Sequence, residues 1–201
     1  MRFRLGARHA IGENAVVADE DLTVELSMDE LREITSYAVA CAEPALAIFE
    51  RDCADDPRPR EALDQAREFS SGGNRTTALR ASALAAHRAA RAAHEVGHDA
   101  AADAARAAGH AAASAYLHPL AKATQVLHIL GSAAQAARAM ELDAGGDPGV
   151  GAAYIDKTVD LADPIVISVL TRYPHPPAGG RRTAELLRRL DASLRGLPTR
   201  R

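Results

Sequence analysis

The sequence predicts an all-α protein, a single-domain helical bundle of about seven to nine helices with alanine-rich core helices. Three observations predict it. Twenty of the forty residues from 78 to 117 are alanine, the best helix former, which has no side-chain entropy to lose. Apolar residues recur at helical spacing through most of the chain beyond residue 27. Clusters rich in Gly, Pro, Asp and Ser then cut this pattern into helix-length pieces.

The 201 residues suit one domain with a real core, and 47 % apolar content argues against disorder throughout. Aromatic residues make up only 3 % and tryptophan is absent. The core must therefore be built from Ala, Leu, Ile and Val, and its helices gain stability by close backbone approach.

In chain order, residues 1–26 show no helical period and are read as an N-terminal arm. Three alternatives stand for it: a disordered stretch, a small strand pairing, or a start placed upstream of the true one at Met28. Residues 27–201 form the all-α domain. Ser27 and Glu30 make an S-x-x-E capping box, and Leu31, Ile34, Ala38 and Cys41 keep one face. Pro44 is expected to kink or break that helix, because it lacks an N–H and clashes with the preceding turn. Residues 45–51 continue it. Residues 54–60 form a turn into a helix over 59–70 with Pro near its first position, which ends at a Ser-Ser-Gly-Gly breaker.

Two antiparallel helices follow, 75–95 and 99–117, joined at Val96, Gly97 and His98. Asn74 and Asp99 are the expected N-caps. Arg80, Leu84, His87 and Arg91 share one stripe of the first; Asp103, Arg106, His110, Ser114 and Leu117 share one stripe of the second. His87, Arg91 and His110 are expected as buried polar positions. The next helix spans 119–142 and is apolar or small on two sides, which marks it as central. Residues 149–161 and 164–172 read as short helices split at Asp163 and Pro164. The β-branched run at 165–170 allows a strand, though no partner strand is evident. A Pro- and Gly-rich linker at 173–180 precedes a last amphipathic helix, 181–195. There Leu187, Leu190 and Leu194 face inward, and Arg188, Arg189 and Arg195 face outward.

Charge is unevenly distributed. Residues 1–70 hold 16 Asp and Glu against 8 Lys and Arg, net −8; residues 71–201 hold 11 against 16, net +5. The bland reading is solvated helix faces. The sharper reading is an acidic face for a basic partner, with Glu30, Glu33, Glu50, Asp52, Asp55 and Asp56 as candidate contacts. The basic portion lacks aromatic interleaving, so no nucleic acid is expected. No apolar run reaches membrane-span length, so no membrane association is expected either. The N-terminus has no signal-peptide core. Cys41 and Cys53 fit no metal spacing and no disulfide framework, which points to a reducing, cytoplasmic setting.

The loudest chemical motif is His94-Glu95-Val96-Gly97-His98, a literal HExxH. On a continuous helix it would place two imidazoles on one face, with the glutamate as general base. Its context argues against that: Gly97 and Asp99 stand where the helix ends, Ala101 and Ala104 stand where a metzincin continuation needs Gly and His, and a third ligand from a downstream helix would have to be Glu141, in a segment unlike the usual glutamate-bearing helix. His87, His110, His118 and His128 could converge in the room that alanine leaves, but hydrogen-bonded, packed histidines are the expected outcome. No nucleophile elbow, carboxylate pair or phosphate-cradling loop is present. The expectation is a protein without catalysis, metal or cofactor. In the turn at 55–60, Arg58 or Arg60 is expected to pair with a carboxylate such as Glu43 or Asp56, forming a structural latch.

Four stretches carry a family resemblance: Cys41-Ala42-Glu43, Asp55-Asp56-Pro57-Arg58-Pro59-Arg60-Glu61-Ala62, Ala85-Ala86-His87-Arg88-Ala89-Ala90-Arg91 and Ala105-Arg106-Ala107-Ala108-Gly109-His110-Ala111-Ala112. In this order they resemble the Imm-5-like immunity proteins of bacteria, from about Leu26 to Met140. Around Tyr116, His118 and Leu127 the chain departs from that pattern. The resemblance implies an all-α protein that neutralises a cognate toxin encoded nearby, a protein partner bound without turnover. A helical scaffold or oligomerisation module, including a homodimer, is the alternative. A histidine- or metal-dependent enzyme is the third and weakest reading.

Overall fold

The computed structural model describes residues 22–197. The expectation of an N-terminal arm therefore lies, for residues 1–21, outside the described residues. Among the described residues eight α-helices follow one another: α1 Met28–Asp52, α2 Arg58–Ser70, α3 Thr77–Glu95, α4 Asp99–Ser114, α5 Val126–Asp143, α6 Pro148–Asp160, α7 Pro164–Thr171 and α8 Arg182–Arg195. A single 3₁₀ turn, Ala123–Gln125, leads into α5. The chain is all-α.

α4 is the inner helix. Eleven of its residues are buried, eight of them alanine, and it packs on α1, α2, α3 and α5. α5 is buried with it and meets α1, α4, α6, α7 and α8. The larger side chains that fill the space between them include Ile34, Leu46, Phe49, Leu63, Phe69, Leu79, Ile129 and Leu190, each at most 1 % exposed. Alanine brings the helix axes close, and these few large groups close the gaps.

α1 runs unbroken through Pro44. Proline there deprives the Ala40 carbonyl of its helical donor. Both residues are exposed, so water satisfies that carbonyl. Cys41, Ala42, Ala45 and Leu46 are buried on either side and hold the helix against α4. The capping box forms as expected, Ser27 and Glu30 bonding each other's backbone N–H at 3.1 and 2.8 Å. Residues 165–170 lie in α7, not in a strand, with Asp163 capping Ile165 N–H at 2.8 Å.

Several boundaries differ from the sequence reading. Thr76, not Asn74, caps α3, accepting from Leu79 N–H at 3.1 Å. Asp99 lies inside the first turn of α4, behind His98, and its carboxylate turns back to the His94 ring at 2.5 Å. Residues 119–122 are not helical. They run extended, and Thr23 and Leu120 form an isolated antiparallel bridge, with Val24 N–H to Pro119 O at 2.6 Å and Ala121 N–H to Leu22 O at 2.7 Å. The end of the predicted arm thus makes one backbone bridge and no strand among the described residues. Arg91 is exposed. The buried row of α3 is Leu79, Ala83, Ala86, Ala90 and Ala93; Arg91 stands one position beyond it, and an unpaired guanidinium belongs in water. Arg195 turns inward instead of outward, its side chain 13 % exposed, because the buried Asp191 one turn earlier draws it in at 2.8 Å.

Candidate partner-binding surfaces

The acidic candidates lie at the two ends of α1. A rise of 1.5 Å per residue separates Glu30 from Asp52 by about 33 Å, so the six do not share one patch. Glu30 is held by Arg172 of α7 and by the Ser27 N–H, which keep its carboxyl below the usual range. Arg51 grips Asp52 at 2.7 Å and lowers its pKa, and also reaches Asp143 at 2.8 Å. Arg58 folds back onto Asp56 through two bonds of 2.8 and 2.5 Å and lowers it likewise. Glu33 and Asp55 have no ion-pair partner among the described residues.

Glu50 belongs to a chain of charges that ties α1 to α2. Arg60 donates to Glu50 at 2.8 and 2.9 Å and to Glu43 at 2.8 Å. Arg67 takes the other Glu43 oxygen at 2.5 Å and also Asp64 at 2.7 Å. The prolines of the 55–60 turn fix where these arginines emerge, Pro57 before the first helical residue and Pro59 buried at the second. The two predicted latch arginines are engaged separately: Arg58 within its own turn, Arg60 across helices. These side chains are one-third to one-half exposed.

The HExxH segment does not present two histidines on one helix. α3 ends at Glu95, Gly97 takes φ +84°, and His98 precedes α4. His94 faces Asp99, while His98 lies 3.9 Å from the Cys53 sulfur. Among the described residues no three His, Cys, Asp or Glu side chains gather closely enough to hold a metal ion.

Of the four candidate histidines, His87, His110, His118 and His128, three do converge. His87 of α3 and His110 of α4, half-buried where full burial was expected, meet edge to face, ring centroids 5.1 Å apart. His128 of α5 lies near His110, its Nδ1 3.2 Å from Ala113 O. His118 stands apart in the 115–122 segment, its Nδ1 accepting from Leu120 N–H at 3.1 Å. Glycines seat two of the rings. A methyl group on Gly109 would sit 3.0 Å from His87, and one on Gly131 would sit 3.2 Å from His110. Burial, then the neighbouring imidazoles and Arg106, push His110 down to about 3; burial also lowers His87 and His128. At neutral pH these are uncharged packing groups that interlock three helices.

Beside them, α4, α5 and α8 and the 176–181 strap enclose a groove of about 820 Å³. Leu127, 43 % exposed, lies on its wall. Its floor holds Asp103 with Arg106 at 2.5 Å and Arg138, which with Arg182 at 3.1 Å binds the buried Glu141.

Sequence reasoning did not mark the three carboxylates Asp103, Glu141 and Asp191 as buried. Their signal was present: each has an arginine three or four residues away on the same helix, at 106, 138 and 195. It also passed over the hydroxyls that bind α1 to its neighbours, Ser132 to Ala38 O at 2.6 Å and Tyr154 to Cys41 O at 2.8 Å. Burial pushes the Cys41 thiol up to about 12, and both cysteines are free. No helix among the described residues is long and apolar enough to cross a membrane.

A family model described as "Imm-5 like putative immunity protein" matches residues 25–161, a span that contains α1 to α6. No curated protein and no solved structure matches the chain.

Proposed function

The chain belongs to the Imm-5 like putative immunity protein family, and from that premise we propose that it neutralises a toxin domain by binding it directly, one to one and without turnover, in the bacterial cytoplasm. The single observation that carries this reading is the family match, which spans most of the helical core. The geometry supports binding over chemistry. The HExxH segment is divided by a turn, and the converging histidines are neutral and packed, two of them seated on glycine. Titratable groups that a catalyst would keep accessible are here engaged with arginines. A rigid helical surface instead suits an inhibitor, because pre-organised side chains lose little freedom on binding.

The test uses the product of a toxin-like reading frame adjacent to this gene. Co-expression of the intact chain should restore growth to cells making that product, and the two proteins should co-purify in equal amounts. Unimpaired toxicity in the presence of well-expressed, folded chain would reject the immunity reading and leave a helical scaffold.

A further inference from the structure

We infer that the outer face of α3 is the docking surface for the toxin domain, and that it receives a carboxylate-rich patch on that domain; this rests on the immunity reading above. At 100° per residue, Arg80, Leu84, Arg88, Arg91 and Glu95 fall within an arc of about 80°. All five are exposed, Leu84 at 56 %. Outside α3 and the residues leading into it, every arginine among the described residues except Arg181 donates to a carboxylate or a backbone carbonyl. Arg88 and Arg91 have no such partner among the described residues, nor has Arg75 just before the helix. The one carboxylate of α3 is Glu95, at its far end.

The face is pre-organised. Arg80 lies over the Tyr116 ring, 4.5 Å from its centroid, and the Tyr116 hydroxyl is itself anchored to Thr76 O at 2.7 Å. The helix beneath is locked by the alanine row on α4 and by the His87–His110 contact. From Arg80 to Glu95 the face runs about 22 Å. That length supplies the centre of a standard interface of about 800 Å² per partner, and Val96, 68 % exposed, extends it at the turn.

An exposed leucine among arginines fits a protein partner. Interface centres combine apolar anchors with arginine, whereas Leu84 gains nothing against phosphates, and the one aromatic ring at this face, Tyr116, already has Arg80 over it, which leaves no series of open rings for successive bases. A second copy of the chain is also a poor occupant: across a two-fold axis this face would meet its own arginines. The acidic side chains that would complement it are mostly held by arginines of their own copy.

The experiment measures association and dissociation rates of the purified, catalytically inactivated product of the adjacent toxin-like reading frame, from about 50 to 500 mM salt. The variants are Arg88→Glu/Arg91→Glu, Leu84→Ser, and an acidic control, Glu33→Lys/Asp55→Lys, the two acidic candidates without an ion-pair partner among the described residues. The arginine reversal should slow association about tenfold or more at low salt, with the gap closing as salt rises. Leu84→Ser should speed dissociation several-fold, and the acidic control should bind as the parent does. Thermal melts check folding, with Arg88→Ala/Arg91→Ala as the milder variant. Parent-like binding by both arginine variants overturns the inference while leaving the immunity reading intact. So does loss of binding confined to the acidic control. Arginine-dependent binding of a DNA duplex of about 20 base pairs, with toxin binding unaffected, overturns it in favour of nucleic acid. Failure of the parent chain itself to bind removes the immunity reading, and this surface with it.

Discussion

Acid should loosen the α3–α4–α5 contact through His110, and the size of the effect follows from its burial. In the folded chain the ring stays neutral down to about pH 3; unfolded, it takes a proton near 6.5. Below pH 6.5 the unfolded state gains protonation free energy that the folded state does not. Stability is therefore complete above that pH and falls as pH drops toward the folded value. One such group costs about 1.4 kcal/mol per pH unit, or about 2 kcal/mol between pH 6.5 and 5. His110→Gln keeps a polar side chain but cannot titrate. Urea midpoints measured from pH 7.5 to 5, with the slope of unfolding held constant, should fall more steeply for the parent than for His110→Gln. The divergence should reach about 2 kcal/mol by pH 5. The variant's own loss at pH 7.5 does not enter this comparison, and carboxylate titration cancels between the two chains. Parallel curves would refute the claim that this half-buried imidazole is held uncharged.

Arg60→Ala breaks the link from α2 to Glu43 and Glu50; because the pair is well exposed, it should cost only about 0.5–1 kcal/mol, read as a lower melting temperature. An unchanged melt with lost toxin binding would make that corner a docking site in place of a latch. Gly131→Ala should destabilise by about 1 kcal/mol, since about 1 kcal/mol of helix propensity is outweighed by overpacking against His110 and Leu127 Cδ1, 3.2 and 3.0 Å from the added methyl; a gain in stability would show that the rings shift freely. EDTA treatment should leave the melting temperature unchanged. Stoichiometric zinc lost on His94→Ala would restore the metal-site reading.

The fold was legible because alanine content, caps and breakers all point to helices separated by turns, and the tertiary structure does not oppose them. Departures occur where a local rule had a competitor. Pro44 did not break α1, because the carbonyl it orphans faces water and the flanking residues are buried. Residues 119–122 were given to α5 by their spacing, yet their backbone pairs with residues 22–24, a contact about a hundred positions away in sequence. Arg91 and Arg195 were assigned to the wrong sides for opposite reasons. Periodicity placed Arg91 on a polar stripe without saying which edge of the stripe the neighbours cover. Arg195 lies on a face that hydropathy marks as outward, and a buried carboxylate one turn away overrides it.

The candidate surface was less legible, because net charge counts residues while recognition depends on which of them remain unpaired. Residues 1–70 are net −8, yet Glu30, Glu50, Asp52 and Asp56 each have a close guanidinium. A partner approaching that end must compete with arginines already in place. α3 presents the reverse case. It packs on the alanine row of α4 and on α2, and no carboxylate of either helix pairs with Arg88 or Arg91 among the described residues, Asp103 and Asp64 being taken by Arg106 and Arg67. Close alanine packing thus has two consequences. It makes the helix rigid, and it leaves the charges on the outer face of that helix uncompensated. At physiological salt the screening length is about 8 Å, so an incoming surface responds to this local face more than to the net charge of the chain. The uncompensated arginines, not the acidic excess, are where binding has the most charge still to satisfy.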